Sequence, residues 1–228
     1  MNELIRFIRD VSTHKVEVLR EDGLYRHLRF ARPKTNAYYF DIVTWPGYLV
    51  VTGDMGTWTF SRITDMFEFF TDKHFGRQDS FQINPGYWSE KFESGAGGGR
   101  YDTPCYEFDE RAFEQRLKAW LVEYLADCED DYDREQAEDA VDNLVREGFQ
   151  NAWMAGQALN DADFPRDVNS WDILEGMGSL QTYSHHYLWI CYAIVWGIER
   201  YSNQKLALNA MEKFFVWQLP KLDLSGEV

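Results

Sequence analysis

The sequence predicts an α+β protein: an N-terminal antiparallel β-meander with a packed helix, followed by an acidic α-helical region. Three observations predict it. Runs rich in β-branched and aromatic residues, separated by Gly- and Pro-containing turns, dominate the chain as far as Ser61. Beyond Ser61 the apolar spacing changes to three and four residues, the period of a helix. Between the two patterns lies the strongest loop punctuation of the chain, Gly76, Pro85-Gly86, the Gly95-Ala96-Gly97-Gly98-Gly99 cluster and Pro104. The organisation expected is a sheet plus helix over residues 1–75, an irregular Gly-rich connection over 76–104, and an α-helical region over 105–228, which packs with the sheet or apart from it.

Taken in order, residues 3–10 suit a short helix and 15–19 alternate as a first strand. Residues 24–30 alternate Leu24, Leu28 and Phe30 with Tyr25, His27 and Arg29, and residues 38–45 are β-branched and aromatic. Trp45-Pro46-Gly47 turns the chain into strands over 48–52 and 57–61, which flank Gly53-Asp54-Met55-Gly56, a tight hairpin whose glycines permit positive φ. Trp58 and Phe60 are expected to pack inward with Leu49 and Val51. Thr64-Asp65 then opens a helix over about 64–73 with Met66, Phe67, Phe69 and Phe70 on the sheet.

In the second part, Phe113, Leu117, Trp120, Leu121, Tyr124 and Leu125 recur at helical spacing over 109–126. Ala137, Val141, Leu144 and Val145 form the buried stripe of a second helix over 133–149, and the short acidic link between the two implies an antiparallel helical hairpin. A helical turn follows over 151–159, then an irregular stretch around Pro165. Residues 184–201 are apolar nearly all round, which predicts the central helix of the helical part, and a last helix is expected over 205–217.

The formal net charge is −15, and it is unevenly placed. Residues 1–77 hold 11 Lys/Arg and 10 Asp/Glu; the 46 residues of 102–147 hold 16 Asp/Glu against five Lys/Arg. Such a segment repels nucleic acid and attracts basic partners. Direct nucleic-acid binding is therefore not expected; only the first 77 residues, with Arg26, Arg29, Arg32 and Lys34 close together, offer a cationic cluster. Three cysteines, Cys105, Cys128 and Cys191, show neither a CxxC nor a zinc spacing, and their odd number argues against a secreted disulfide framework. The N-terminus lacks an apolar run of signal length, and the longest apolar stretch, residues 187–197, is short of the roughly 20 residues of a membrane span. A cytoplasmic protein with no membrane association is expected.

Candidate chemistry is sparse. Asp131, Asp133 and Glu135 alternate as in a calcium loop, but Gln136 stands where that loop needs glycine and Asp142 where it needs a bidentate Glu, so no metal is assigned. The run from Ser94 to Arg100 has the glycines of a phosphate cradle without its Lys-Ser/Thr, so no nucleotide cofactor is assigned. His185-His186 is the one adjacent imidazole pair, and neighbouring helical positions point about 100° apart, a poor geometry for one shared metal. No GxSxG elbow is present; a catalytic set drawn from distant residues is left open. The candidate contact residues are the acids Asp127, Glu129, Asp130, Asp131, Asp133, Glu138 and Asp142, together with Asp54 and Met55 at the hairpin tip, where an exposed thioether beside a carboxylate suits a partner contact.

Four stretches, residues 22–30, Phe40-Asp41-Ile42-Val43-Thr44-Trp45-Pro46-Gly47, Gly53-Asp54-Met55-Gly56, and His185-His186-Tyr187-Leu188-Trp189 with Ala193-Ile194-Val195-Trp196, resemble a family of bacteriophage and prophage proteins. The resemblance spans most of the chain and brings no catalytic residues with it. It implies an accessory protein acting in the host cytoplasm, of the kind that inhibits defence machinery such as CRISPR or restriction complexes. The expectation that follows is an acidic binding protein that blocks a host factor by occupying its basic nucleic-acid groove. The alternatives are an enzyme using carboxylates with His27, His74 or the 185–186 pair between sheet and helices, and a homo-oligomeric structural or assembly component.

Overall fold

A computed structural model describes residues 2–71, 81–95 and 104–218. The chain divides into two compact units, residues 1–105 with 185–228, and residues 106–184. The second is thus an insertion in the first.

The first unit begins with α1 (Glu3–Val11), whose Asn2 side chain accepts a hydrogen bond from the Leu4 N–H at 2.9 Å and caps the first turn. Strands β1 (Lys15–Asp22), β2 (Tyr25–Ala31), β3 (Phe40–Trp45), β4 (Tyr48–Gly53) and β5 (Gly56–Ser61) follow, and β6 (Phe92–Gly95) completes a six-stranded antiparallel meander in sequence order. Its register explains the core. Phe30 faces Phe40, Leu28 faces Ile42, Ile42 faces Val51, Val51 faces Trp58 and Leu49 faces Phe60. All of these are buried, so one face of the sheet is apolar apart from Arg26 and Thr44 near one end of the β2–β3 ladder, while the other presents Arg29, Asp41, Thr52 and Thr57 in cross-strand register.

The apolar face is covered by α2 (Met66–Thr71), α3 (Pro85–Ser89) and α8 (His185–Gln218) through aromatic rings. Phe60 meets Phe70 edge-on at 5.5 Å, Phe70 meets Trp88 at 4.9 Å, and Trp189 meets Phe40 at 5.6 Å and Phe7 of α1 at 5.2 Å. Much of the chain's aromatic content among the described residues is therefore spent on this core, while Trp45, Tyr132, Trp153 and Trp171 stay exposed. Gly197 marks the closest approach of α8 to the sheet: a Cβ there would lie 2.7 Å from Ile42 Cδ1 and 3.2 Å from the Phe30 ring.

Three features depart from the sequence expectation. Helix α8 is continuous, not broken near residue 203, because Ser202-Asn203-Gln204 contains neither Pro nor Gly and a helix under way passes through such residues. It belongs to the unit of the sheet, whereas the periodicity points to the centre of the helical part. The 76–104 stretch holds α3 and β6, where Asn84 caps the Tyr87 N–H and Pro85 sits at the first helical position, so that Pro85-Gly86 starts a helix and does not mark a loop. The glycine cluster beyond Gly95, and His74, lie outside the described residues.

The inserted unit contains β7 (Tyr106–Phe108), α4 (Glu110–Asp127), α5 (Asp131–Glu147), α6 (Ala152–Asp161), α7 (Ser170–Gly176) and β8 (Gln181–Tyr183). Strands β7 and β8 pair antiparallel, Tyr106 opposite Tyr183, and so bring the two ends of the insertion together. The expected hairpin of α4 and α5 is present. Its helices share a core of Phe113, Leu117, Val141 and Leu144, which continues through Phe149, Ala155 and Leu159 to Ile173, Met177 and Leu180 of the α7 region. Helix α7 and strand β8 are too short for a periodic signal; α7 is announced only by the Asn169 cap on the Trp171 N–H.

Candidate functional site

The segregation of charge follows the division into units. Residues 106–184 carry 20 Asp/Glu and six Lys/Arg, against 18 and 17 in the rest of the chain. The insertion therefore holds net −14 of the −15. Among its described residues the one ion pair is Glu114 with Lys118 at 3.6 Å, so its carboxylates are left largely to solvent.

The seven acids expected to form a contact surface do not act alike. Asp130 is the N-cap of α5, its carboxylate accepting from the Tyr132 N–H at 2.8 Å and the Asp133 N–H at 3.2 Å. Asp131 and Asp133 occupy the first turn of α5, where the helix dipole favours negative charge, so the stretch that alternates like a calcium loop is a helix start. Asp133 is half-buried; Asp127, Glu129, Asp131, Glu138 and Asp142 are exposed. Arg134 reaches back from α5 to donate to the Cys128 carbonyl at 2.8 Å, spending one of the few cations of this unit on the α4–α5 link.

A groove of about 720 Å³ opens between α5 and the C-terminal end of α6. Glu135, Asp139, Asn143 and Glu147 line one wall, Asp161 and Asp163 the other, and Ala140, Leu144, Ala158 and Ala162 the floor. No Lys or Arg lines it. None of the seven expected acids does so either. The signal that would have found the wall is the spacing of four residues from 135 to 147, which stacks one polar stripe along a helix. Like charges four apart repel mildly, so the groove is a place where a cation is favoured.

The hairpin tip is structural. The Asp54 carboxylate accepts from the Tyr38 N–H at 2.8 Å, and the Met55 carbonyl accepts from Trp58 Nε1 at 2.8 Å. Met55 is half-buried, not exposed as expected, because the Trp58 ring draws the turn down onto the sheet.

The histidines are brought to carboxylates, but not into the groove. On the polar face of the sheet, His27 Nε2 lies 2.9 Å from Asp41 Oδ2, and Arg29 donates to both oxygens of Asp41 at 2.9 and 2.8 Å. Burial alone would raise the Asp41 carboxyl, but the hydrogen bonds from Arg29 and His27 outweigh it and hold the group below the usual carboxylate range. His185 Nδ1 lies 2.7 Å from Glu3 Oε2, tying the start of α8 to α1, while His186 is exposed. Among the described residues no group of three or more His, Cys, Asp or Glu is placed to hold a metal ion, and no helix is long and apolar enough to cross a membrane.

Comparison of the chain with protein-family models, with curated proteins and with solved structures finds no match in any of the three.

Proposed function

We propose that this chain is an acidic binding protein whose inserted helical unit occupies a basic surface on another protein, of the kind that ordinarily holds nucleic acid. Carboxylates then stand in for phosphates. The observation that supports the reading is the confinement of net −14 to residues 106–184, in a unit with its own hydrophobic core and almost no internal ion pairing. A charge held on a separately packed unit can be offered to a partner without opposing the fold of the sheet. The resemblance to bacteriophage proteins directs the proposal to a host defence complex, such as a CRISPR or restriction complex.

Affinity purification from expressing bacterial cells, followed by elution with a salt gradient and mass spectrometry, tests it. The expected result is a nucleic-acid-handling protein with a basic groove, released as ionic strength rises and lost when Asp127, Glu129, Asp131, Glu138 and Asp142 are reversed together to Lys. Capture that is indifferent both to salt and to that reversal would show that acidity is not the basis of binding.

A further inference from the structure

The groove between α5 and α6 has features that a plain acidic mimic of nucleic acid does not need. Its floor is apolar and mostly alanine, with Ala140 and Leu144 buried and Ala158 and Ala162 half-buried. At its end stands Tyr132, a large aromatic residue 72% exposed at the start of α5. Exposed aromatics beside a desolvated floor are the usual anchors of protein interfaces. The lining is also continuous in one direction. From Glu135 to Glu147 it follows three turns of α5, a length of about 18 Å at 1.5 Å per residue.

We propose that this groove is the docking site for a basic amphipathic helix of the partner protein, an inference that rests on the reading of the chain as an acidic binder and specifies where and what it binds. An apolar stripe on the incoming helix covers the floor, where alanine at three of its four positions lets two helices approach within the ordinary packing distance of about 8–10 Å. Lys and Arg flanking that stripe meet Glu135, Asp139 and Glu147 on one side and Asp161 and Asp163 on the other. A small polycation satisfies the walls but leaves the floor and Tyr132 unused; an apolar helix without flanking cations buries the floor but leaves five carboxylates unpaired. Helix-in-groove recognition with charge at its edges satisfies both.

The probe is a synthetic peptide of about 18 residues, long enough to span the groove, with a leucine stripe flanked by Lys and Arg, compared with a scrambled peptide of equal charge. Fluorescence anisotropy on the full-length protein reads binding at low and at physiological ionic strength. The amphipathic peptide is expected to bind about 10-fold or more tighter than the scrambled one, since it alone buries the floor. Ala158→Trp, which fills the groove without changing charge, and Glu135→Lys/Asp139→Lys are each expected to weaken it about 10-fold or more; Glu138→Lys/Asp142→Lys, off the groove, about threefold or less. Tyr132→Ala at the exposed rim reports on the same site should Ala158→Trp fail to fold, and is expected to weaken binding about fivefold or more. Equal binding of the two peptides, equal loss from the two pairs of reversals, or full affinity in the groove-filling and rim variants overturns the groove as the site. Salt-sensitive binding that survives those results leaves the broader acidic-binder reading standing. Absence of binding to either peptide and to any basic protein at low salt removes both.

Discussion

Gly53 lacks a side chain because the Tyr39 backbone occupies the space one would fill. A Cβ there would lie 2.2 Å from the Tyr39 carbonyl oxygen, which accepts from the Asp54 N–H at 3.0 Å, and 2.8 Å from Cα of Phe40, the first residue of β3, and backbone atoms so held do not move aside. Gly53→Ala is therefore expected to cost about 3 kcal/mol, the upper end of an overpacking penalty, measured as a shift in urea midpoint with an unchanged slope. The turn itself was legible in the sequence from its two glycines; the demand on Gly53 was not, because it comes from the backbone just ahead of β3, 14 residues earlier. The same holds for Arg26, an unremarkable strand residue until the fold sets it against α2. Its guanidinium makes two 2.8 Å hydrogen bonds to Asp65 and lies over the Phe67 ring at 4.4 Å. Those bonds hold the Asp65 carboxyl below its usual range against the opposing effect of burial. A depressed folded-state value means that the contribution is fully present above the unfolded carboxylate value of about 3.9 and disappears as pH falls through the folded one. Stability measured by urea at stepped pH is thus expected to hold down to about pH 5 and to fall below about pH 4. Arg26→Met is expected to cost about 2 kcal/mol at neutral pH and to flatten that acid limb. An acid limb of unchanged steepness in the variant would mean that other carboxylates set it.

At the scale of elements, the helices that the sequence predicted are those with long periodic stripes. Helices α4 and α5 were legible because Phe113, Leu117 and the Ala137, Val141, Leu144 set repeat for several turns; α3 and α7 were not, because five to seven residues hold too few repeats to show a period. The acid-rich link between α4 and α5 was legible as charge but not as structure. Of its carboxylates, Asp130 alone closes both the Tyr132 and Asp133 N–H groups. Asp130→Ala is expected to destabilise the inserted unit by about 1 kcal/mol, whereas Asp130→Asn keeps the capping oxygen and costs only a few tenths. Thermal unfolding monitored by circular dichroism separates the two. The pair also separates cap from contact: if Asp130→Asn weakens partner capture as much as Asp131→Asn does while stability is kept, Asp130 serves the partner as well as the helix. A polar stripe from Glu135 to Glu147 was present in the sequence too, but its significance depends on what α6 places opposite it, and sequence spacing within one helix is silent on that.

For the whole molecule, the sequence separated a near-neutral first part from an acidic second part and drew the line where glycine and proline accumulate. The fold draws it elsewhere. Helix α8 is apolar nearly all round at its start, which marks it as central, but periodicity cannot say whether a sheet or other helices surround it; Gly197 against Ile42 and Phe30 shows that it is the sheet. Since β7 and β8 pair at Tyr106 and Tyr183, the ends of the insertion are about 5 Å apart, the spacing of opposed residues in an antiparallel ladder, and a few flexible residues can replace everything between them. Joining Cys105 to His185 through a short Gly-Ser link is accordingly expected to leave a chain that unfolds cooperatively and has lost nearly all of the net charge, 18 Asp/Glu against 17 Lys/Arg remaining. Residues 106–184 made alone, with a core reaching from Phe113 to Leu180, are expected to fold independently, elute late from an anion exchanger and retain the basic-peptide binding of the whole protein. Denaturation curves of the two pieces decide it. A shortened chain without a cooperative transition would mean that the sheet and α8 need the insertion, and the charge would then be part of the fold and not cargo presented by it.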